Sequence, residues 1–349
     1  MARSDPCVSL AHLNPPLEIV GGGLAGLSLA AGLRLHGVSV TVHEAGHYPR
    51  HRVCGEFISG VEHSTLERLG IAAAFENVRL HRSVEWFHRD RSIHRNTLPA
   101  AAYGISRFAL DQRLVRIVES LGGRVIQGSR GQPGDAEGRI WAAGRVPGPS
   151  SWIGLKVHFH DLPMSSDLEM HLGDRGYAGV SGVEDGRVNV CGLFRLDRQR
   201  TGTHSELLLD YLRGSGLNVL AERLERAAAD ESSFCGVSSF RLGWQARKNR
   251  VSIGDAAALI PPFTGNGMSM AFQSAECALD PLLAWHEGAL QWDEAIAAIR
   301  DNLSDRFRHR VSAAMVMQGI LERPIGRSLM AGLGRTGLLP FRPLLALVR

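Results

Sequence analysis

Gly21, Gly23 and Gly26 stand in the run Gly21-Gly22-Gly23-Leu24-Ala25-Gly26, the spacing G-x-G-x-x-G. Between a strand and a helix, glycines so spaced let the backbone close on a pyrophosphate, whose charge is met by free N–H groups at the helix start. Glu44, followed by Ala45, lies eighteen residues beyond Gly26, at the end of the next predicted strand. A carboxylate there accepts hydrogen bonds from a ribose, and it favours the free 2′-hydroxyl of FAD or NAD over the 2′-phosphate of NADP. A second group lies far along the chain, at Arg250-Val251-Ser252-Ile253-Gly254-Asp255, followed by Pro262-Phe263-Thr264-Gly265-Asn266-Gly267-Met268. N–H groups at the start of the helix predicted over Ser269–Trp285 would stabilise negative charge on a bound ring system.

Other residue groups are open to more than one reading. Cys54, in Arg52-Val53-Cys54-Gly55-Glu56-Phe57, is either a small buried residue or a group with a redox or substrate-gating role. His43, His47 and His51 are four apart, which on a helix would suggest a metal face. His43 falls in a strand and Pro49 interrupts the rest, so no metal is expected. Lys156, His158 and His160 share one face of an alternating strand, opposite Leu155, Val157 and Phe159. The apolar face is expected to pack inward and the polar face to meet solvent. Cys54, Lys156 and His158 are the candidate catalytic residues.

The elements that must carry these groups follow from periodicity. Leu17–Val20 reads as a strand, Leu24 to Leu35 as a helix ending at Gly37, and Val38 to Glu44 as a second strand, which together make one β-α-β unit. A helix is predicted from Phe108 to Leu121, with Arg107 at its start and Asp111 one turn on. Short strands follow at Val125-Ile126 and Ile140 to Ala143. From Trp152 to Phe194 the pattern is that of antiparallel strands, with a hairpin turning at Glu184-Asp185-Gly186. Leu207 to Leu224 reads as one helix, and residues 1–16, with three prolines, as a loose leader.

Composition limits the function classes. Of 349 residues 44% are hydrophobic and 21% charged, enough apolar surface for a sizeable core, which excludes disorder. The net charge of +4 is scattered rather than clustered, against nucleic-acid binding. Five cysteines, odd in number and never spaced C-x-x-C, indicate neither a disulfide framework nor a zinc ribbon, and point to a reducing cytoplasm. The apolar run from Ile19 to Leu35 is broken by glycines and lacks a basic flank, unlike a signal peptide. No run reaches the roughly 20 apolar residues of a membrane span.

The Gly-Asp segment at Asp255 and the Pro262 to Met268 turn resemble those of the para-hydroxybenzoate hydroxylase-like flavoproteins, which include aromatic monooxygenases and geranylgeranyl reductases. The resemblance implies an α/β fold: a Rossmann-like FAD-binding domain with an inserted, mostly antiparallel substrate sheet and a C-terminal helical segment. It divides the chain into 1–80, 100–150 and 245–285 for FAD, 81–99 and 151–244 for the sheet, and 286–349 for the helices. It implies that Asp255 bonds the ribityl chain of FAD. The turn at Pro262, Gly265, Asn266, Gly267 and Met268 passes beside the isoalloxazine, and Arg107 approaches the FAD phosphates. Arg52-Val53-Cys54-Gly55-Glu56 is similar to a segment of the geranylgeranyl reductase branch that lies near the flavin. The implied activity is monooxygenation of a hydrophobic aromatic, polyketide or isoprenoid metabolite through a flavin C4a-hydroperoxide. Alternatives are reduction or dehydrogenation of C–C bonds of a lipid, and non-catalytic prenyl or lipid binding on the same fold. Where the family carries Ala-Asp-Gly, this chain has Ala142-Ala143-Gly144, so NADH or NADPH is expected to be a slow, transient donor, or a separate reductase to supply electrons. The expected location is cytoplasmic, with the arginine-rich, Met- and Leu-rich segment after Arg306 forming a peripheral membrane contact.

Overall fold

A computed structural model describes residues 15–131 and 134–336. Most of the Pro-rich leader therefore lies outside the described residues. The opening unit forms as its pattern dictates. β1 (Leu17–Val20) leads into α1 (Leu24–Leu35), which buries Leu27, Leu29, Ala30 and Leu33, and β2 (Val40–Glu44) returns parallel to β1. Gly21 takes φ +111°, and a Cβ on it would lie 2.2 Å from the Ala142 carbonyl oxygen. A Cβ on Gly26 would lie 2.1 Å from the Gly21 carbonyl oxygen, so only glycine lets α1 lie this close to the strand end.

β3 (Phe57–Ile58), α2 (His63–Arg68) and the long pair β4 (Arg79–His88) and β5 (Arg91–Gly104) come next, then α3 (Arg107–Ser120), β6 (Arg124–Gln127) and β7 (Arg139–Trp141). The middle of the chain holds β8 (Trp152–His160), β9 (Leu168–Leu172), β10 (Gly176–Gly182) and β11 (Val188–Arg195). These are followed by α4 (His204–Gly214), α5 (Asn218–Glu225), β12 (Ala228–Ser238) and β13 (Gly243–Trp244). β14 (Val251–Ser252), β15 (Ala258–Leu259), α6 (Gly267–His286), α7 (Trp292–Glu322) and α8 (Pro324–Arg335) complete it.

Two sheets organise these elements. A five-stranded parallel sheet runs β14-β7-β1-β2-β6, so chain ends far apart in sequence share one carboxyl edge. Gly21 after β1, Glu44 at the end of β2, Ala143 beyond β7 and Asp255 beyond β14 all stand there. An eight-stranded sheet runs β12-β8-β11-β10-β9-β4-β5-β3, antiparallel except where β4 meets β9. One face of it buries Leu155, Val157 and Phe159 against Leu208, Leu212, Leu220 and Leu224 of α4 and α5.

The structure corrects the sequence reading in three places. The single helix expected over Leu207 to Leu224 is two, α4 and α5, because Gly214-Ser215-Gly216 breaks it, with Gly216 at φ +75°. β3 and the start of β4 belong to the large sheet rather than to the nucleotide domain's 1–80, since β4 and β5 need partners of matching length out to Gly104. Nor is the helical segment 286–349 separate throughout. α7 buries Ala295, Ile296, Ile299, Leu303, Phe307, Val311 and Ala314, a 3–4 repeat, in the core of the parallel-sheet domain.

Candidate active site

A cavity of about 1350 Å³ follows the carboxyl edge of the parallel sheet and continues under the inner face of the large sheet. That exceeds the roughly 300–1,000 Å³ of a typical small-ligand pocket, and leaves room for a cofactor and a substrate together. Gly21, Gly23, Leu24, Ala25, Glu44, Ala45, Arg52, Cys54, Arg107, Asp255, Pro262, Gly265, Gly267 and Met268 all line it. Gly26 and Asn266 do not. Gly26 serves the close approach of α1 to β1, and Asn266, 1% exposed, is the N-cap residue of α6.

The glycine-rich end has the geometry of a dinucleotide cradle. A Cβ on Gly23 would meet nothing within 4 Å, so the backbone faces open space at the start of α1, where the first N–H groups have no intrahelical acceptor. The Glu44 carboxylate accepts from Gly22 N at 3.0 Å, Gly46 N at 2.9 Å and Arg50 Nη2 at 2.6 Å, and meets Arg52 Nη2 at 3.4 Å. Burial alone would raise its pKa, but the Gly46 N–H, Arg52, Arg50 and the Gly22 N–H outweigh it and hold the carboxyl below its ordinary value. It is a fixed, ionised acceptor at the end of β2. Asp111, fully buried, takes Arg52 Nε at 2.9 Å and both Nε and Nη2 of Arg107, at 2.7 and 2.9 Å, which holds the two guanidiniums on the cavity wall. Asp255 is pushed up by burial, partly offset by Arg145, Arg107 and Arg52. Eight arginines, Arg50, Arg52, Arg107, Arg130, Arg145, Arg241, Arg247 and Arg250, line the cavity against two acids, Glu44 and Asp255. Open backbone at Gly23, two helix N-termini, a ribose acceptor and this cationic lining fit a bound dinucleotide.

The polar face of β8 is not solvated, contrary to expectation. Lys156 and His158 are fully buried, and only His160 is exposed, because that face packs on the Cys54 to Phe57 segment. Glu56, also fully buried, accepts from His158 Nε2 at 2.5 Å and Arg107 N at 2.9 Å, and lies 3.5 Å from Lys156 Nζ. Lys156 Nζ lies 3.1 Å from His51 Nδ1. Neither Lys156 nor His158 lines the cavity, whereas Cys54 and His51 do. Burial pushes the Cys54 thiol up, which keeps it protonated and weakly nucleophilic. Sequence reasoning missed Glu56 as a partner, and also Cys191 and Cys235. Both pair with Lys156 in the register of β11 and β12, and both line the cavity. Period-2 alternation carried from β8 to its neighbours was the signal that could have found them.

His43, His47 and His51 do not converge: His43 Nδ1 is 3.2 Å from Ser129 Oγ, and His51 stacks on Phe108. His51, His158 and Asp230 instead place ligand-type atoms within 4.8 Å of one another, among the described residues. Lys156 Nζ, 3.1 Å from His51 Nδ1 and 3.5 Å from Glu56, ties this cluster to the buried network around β8.

Beyond Cys54 the cavity turns apolar. Phe57, Val84 and Leu98 join Ile93, Met170, Leu172, Tyr177, Leu193 and Phe263 through Trp86 and Leu168. Tyr177 and Cys191, the latter two residues before Leu193 on the same face of β11, are ionisable side chains of this face of the cavity, and burial pushes both up, which keeps them neutral.

The profile of the NAD(P)-binding Rossmann-like domain matches residues 19–90. A menaquinone reductase of Mycobacterium tuberculosis is 23% identical over 361 residues, covering 88% of this chain and 84% of that protein. HpxO of Klebsiella pneumoniae, solved with FAD and uric acid, superposes with a TM-score of 0.73 at 15% identity, over 97% of this chain and 98% of its own. PqsL of Pseudomonas aeruginosa, solved with 2-aminobenzoylacetate, gives a TM-score of 0.70 at 18% identity, over 91% and 98%. The chain shares the fold of these two proteins. In this fold the parallel sheet carries the glycine-rich cradle, and the eight-stranded sheet roofs the apolar arm.

Proposed function

We propose that the protein is an FAD-dependent oxidoreductase whose substrate is hydrophobic and uncharged. The observation that carries this reading is one continuous cavity, cationic and glycine-lined at the carboxyl edge of the parallel sheet and apolar under the large sheet. When bound, FAD would supply two-electron redox chemistry and, once reduced, a route to O₂. Gly21, Gly23, Arg52 and Arg107 would hold its pyrophosphate, Glu44 a ribose and Asp255 the ribityl chain. Gly265 to Met268 and the start of α6 would meet charge on the ring. The apolar arm orients substrate and excludes water, and its neutral, largely hydrocarbon lining means that binding there requires no ion pair.

The reaction we favour is monooxygenation, supported by the monooxygenases that share the fold. Reduction of a C–C bond is the second reading, and two observations favour it: Cys54-Gly55 on the cavity wall, and a relative that is a reductase. The experiment is to purify the protein, record its flavin absorbance, reduce it anaerobically and mix it with O₂ or with an apolar alkene. Bound FAD with fast reoxidation by O₂ and oxygen insertion supports monooxygenation. Reduced flavin inert to O₂ but oxidised by the alkene supports reduction. Protein without flavin, and without affinity for added FAD, overturns both.

A further inference from the structure

The solvent face of α7 changes character part-way along. Its exposed positions include Asp301, Asp305, Arg308, His309 and Ser312, and then become apolar at Met315, Val316 and Ile320, which are 38, 65 and 41% exposed. α8 continues the patch with Ile325 and Leu329, 84 and 60% exposed. Five of the nine exposed large hydrophobic side chains among the described residues thus fall within 315–329, while the others are scattered singly. Exposed apolar clusters of this kind mark interaction surfaces.

The inner side of the same turns belongs to the cavity. Met317 lines it, and Leu321 packs with Phe263 and Tyr177. Charge along this stretch is mostly basic, although Arg306 is paired with Glu276 at 2.6 Å and Arg310 donates to Gln273 at 2.7 Å, which leaves Arg308 and Arg323 as its exposed cations among the described residues. From 306 to 329 the sequence carries five arginines and one acid, Glu322, which is engaged by Arg195 at 2.9 Å. In the sequence, residues 337–349, outside the described residues, comprise, besides glycine and proline, eight apolar residues and two arginines, with no acid. A two-fold contact between copies of this patch would set arginine against arginine, whereas an anionic lipid surface complements it. No helix among the described residues is long and apolar enough to cross a membrane, which leaves attachment at the surface.

We propose that the end of α7 and α8 docks on an anionic bilayer, the apolar side chains entering the interfacial layer and the arginines meeting head-group phosphates. The apolar arm of the cavity is thereby placed one helix-width from the lipid. The docking does not rest on the redox reading; only the passage of substrate from lipid to cavity does.

The test is co-sedimentation of the full chain with phosphatidylglycerol–phosphatidylcholine vesicles and with phosphatidylcholine alone. The comparison is a Val316→Asn, Ile325→Asn, Leu329→Asn variant whose melting curve and flavin content are checked against the parent. The parent is expected to sediment with the anionic vesicles, and the variant to partition roughly tenfold less or lower. Equal partition of the two proteins, or no binding by the parent, overturns the proposal. So does a parent that light scattering shows to be a dimer and that the variant makes monomeric, which assigns the patch to a second copy. A chain cut after residue 336 that loses all binding, while the triple variant keeps it, places attachment in residues 337–349 and overturns it as well.

Discussion

At the scale of single residues, two glycines of one motif do different work. Gly23 faces open space in the cavity, whereas a side chain on Gly26 would meet the Gly21 carbonyl oxygen at 2.1 Å. Gly23→Val is therefore expected to keep the parent melting curve and lose FAD affinity, measured by flavin fluorescence titration. Gly26→Val is expected to lose about 1–3 kcal/mol of stability in urea denaturation, as overpacking does. Loss of stability in the Gly23 variant, with FAD affinity kept, would reverse the assignment. Ala143 stands on the cavity wall, at the position where the flavoproteins that the sequence resembles carry an aspartate. A methyl group cannot accept the charge-assisted hydrogen bonds of a carboxylate, worth about 1.5–3 kcal/mol each. Stopped-flow mixing of the free enzyme with NADH or NADPH is expected to show slow bleaching of the flavin, faster in Ala143→Asp. Fast, saturable bleaching of the parent would show the expectation wrong.

At the scale of elements, the Cys54 to Glu56 segment is pinned from several directions. Asn189 of β11 donates to the Cys54 carbonyl at 3.0 Å, Ser181 of β10 donates to the Gly55 carbonyl at 2.9 Å, and Glu56 joins β8 to the start of α3. Removing the negative member of a buried ion pair strands the other charge, at about 3–5 kcal/mol. Glu56→Gln should show that loss in denaturant unfolding, and adding Lys156→Met should recover part of it. Additive losses would mean that the pair is not coupled. The first β-α-β unit and the hairpin at Glu184 were legible in the sequence, because local periodicity and glycine geometry determine them, whereas the Asp255 turn was read from its resemblance to a flavoprotein motif. The role of Glu56 was not, since it depends on contacts with His158 and Lys156 a hundred residues away. The solvated face expected for β8 failed for the same reason: alternation tells which residues share a face, but not what covers it. The break between α4 and α5 was readable at Gly214-Ser215-Gly216, and an otherwise continuous apolar stripe masked it.

At the scale of the whole molecule, protons and net charge decide the behaviour. Burial pushes His51 and His81 from an ordinary 6.5 down to about 4, Lys156 and His158 adding to the effect at His51. Between pH 6.5 and 4 the unfolded chain holds more protons at both imidazoles, so stability falls as pH drops through that window. Glu169 extends the loss below pH 4.5: burial would raise it, but His171 and Arg223 outweigh this and hold it at about 2. Melting temperatures should thus climb from pH 4 to 7, and His81→Asn should flatten part of the climb; a curve level over that range would contradict the assignment. The cationic lining has a consequence of another kind, in how fast a ligand arrives. Eight arginines line the cavity, and even with Glu44, Asp255, Asp111 and Asp135 set against them the excess is positive, projecting a potential over about a Debye length, ~8 Å in physiological salt. Diffusing dinucleotides carry two negative charges on the pyrophosphate, so the field gathers them and raises the encounter rate without adding a contact. The association rate constant of FAD with the apoprotein should then fall steeply as ionic strength rises, while the dissociation rate, set by short-range contacts inside the cradle, stays nearly constant.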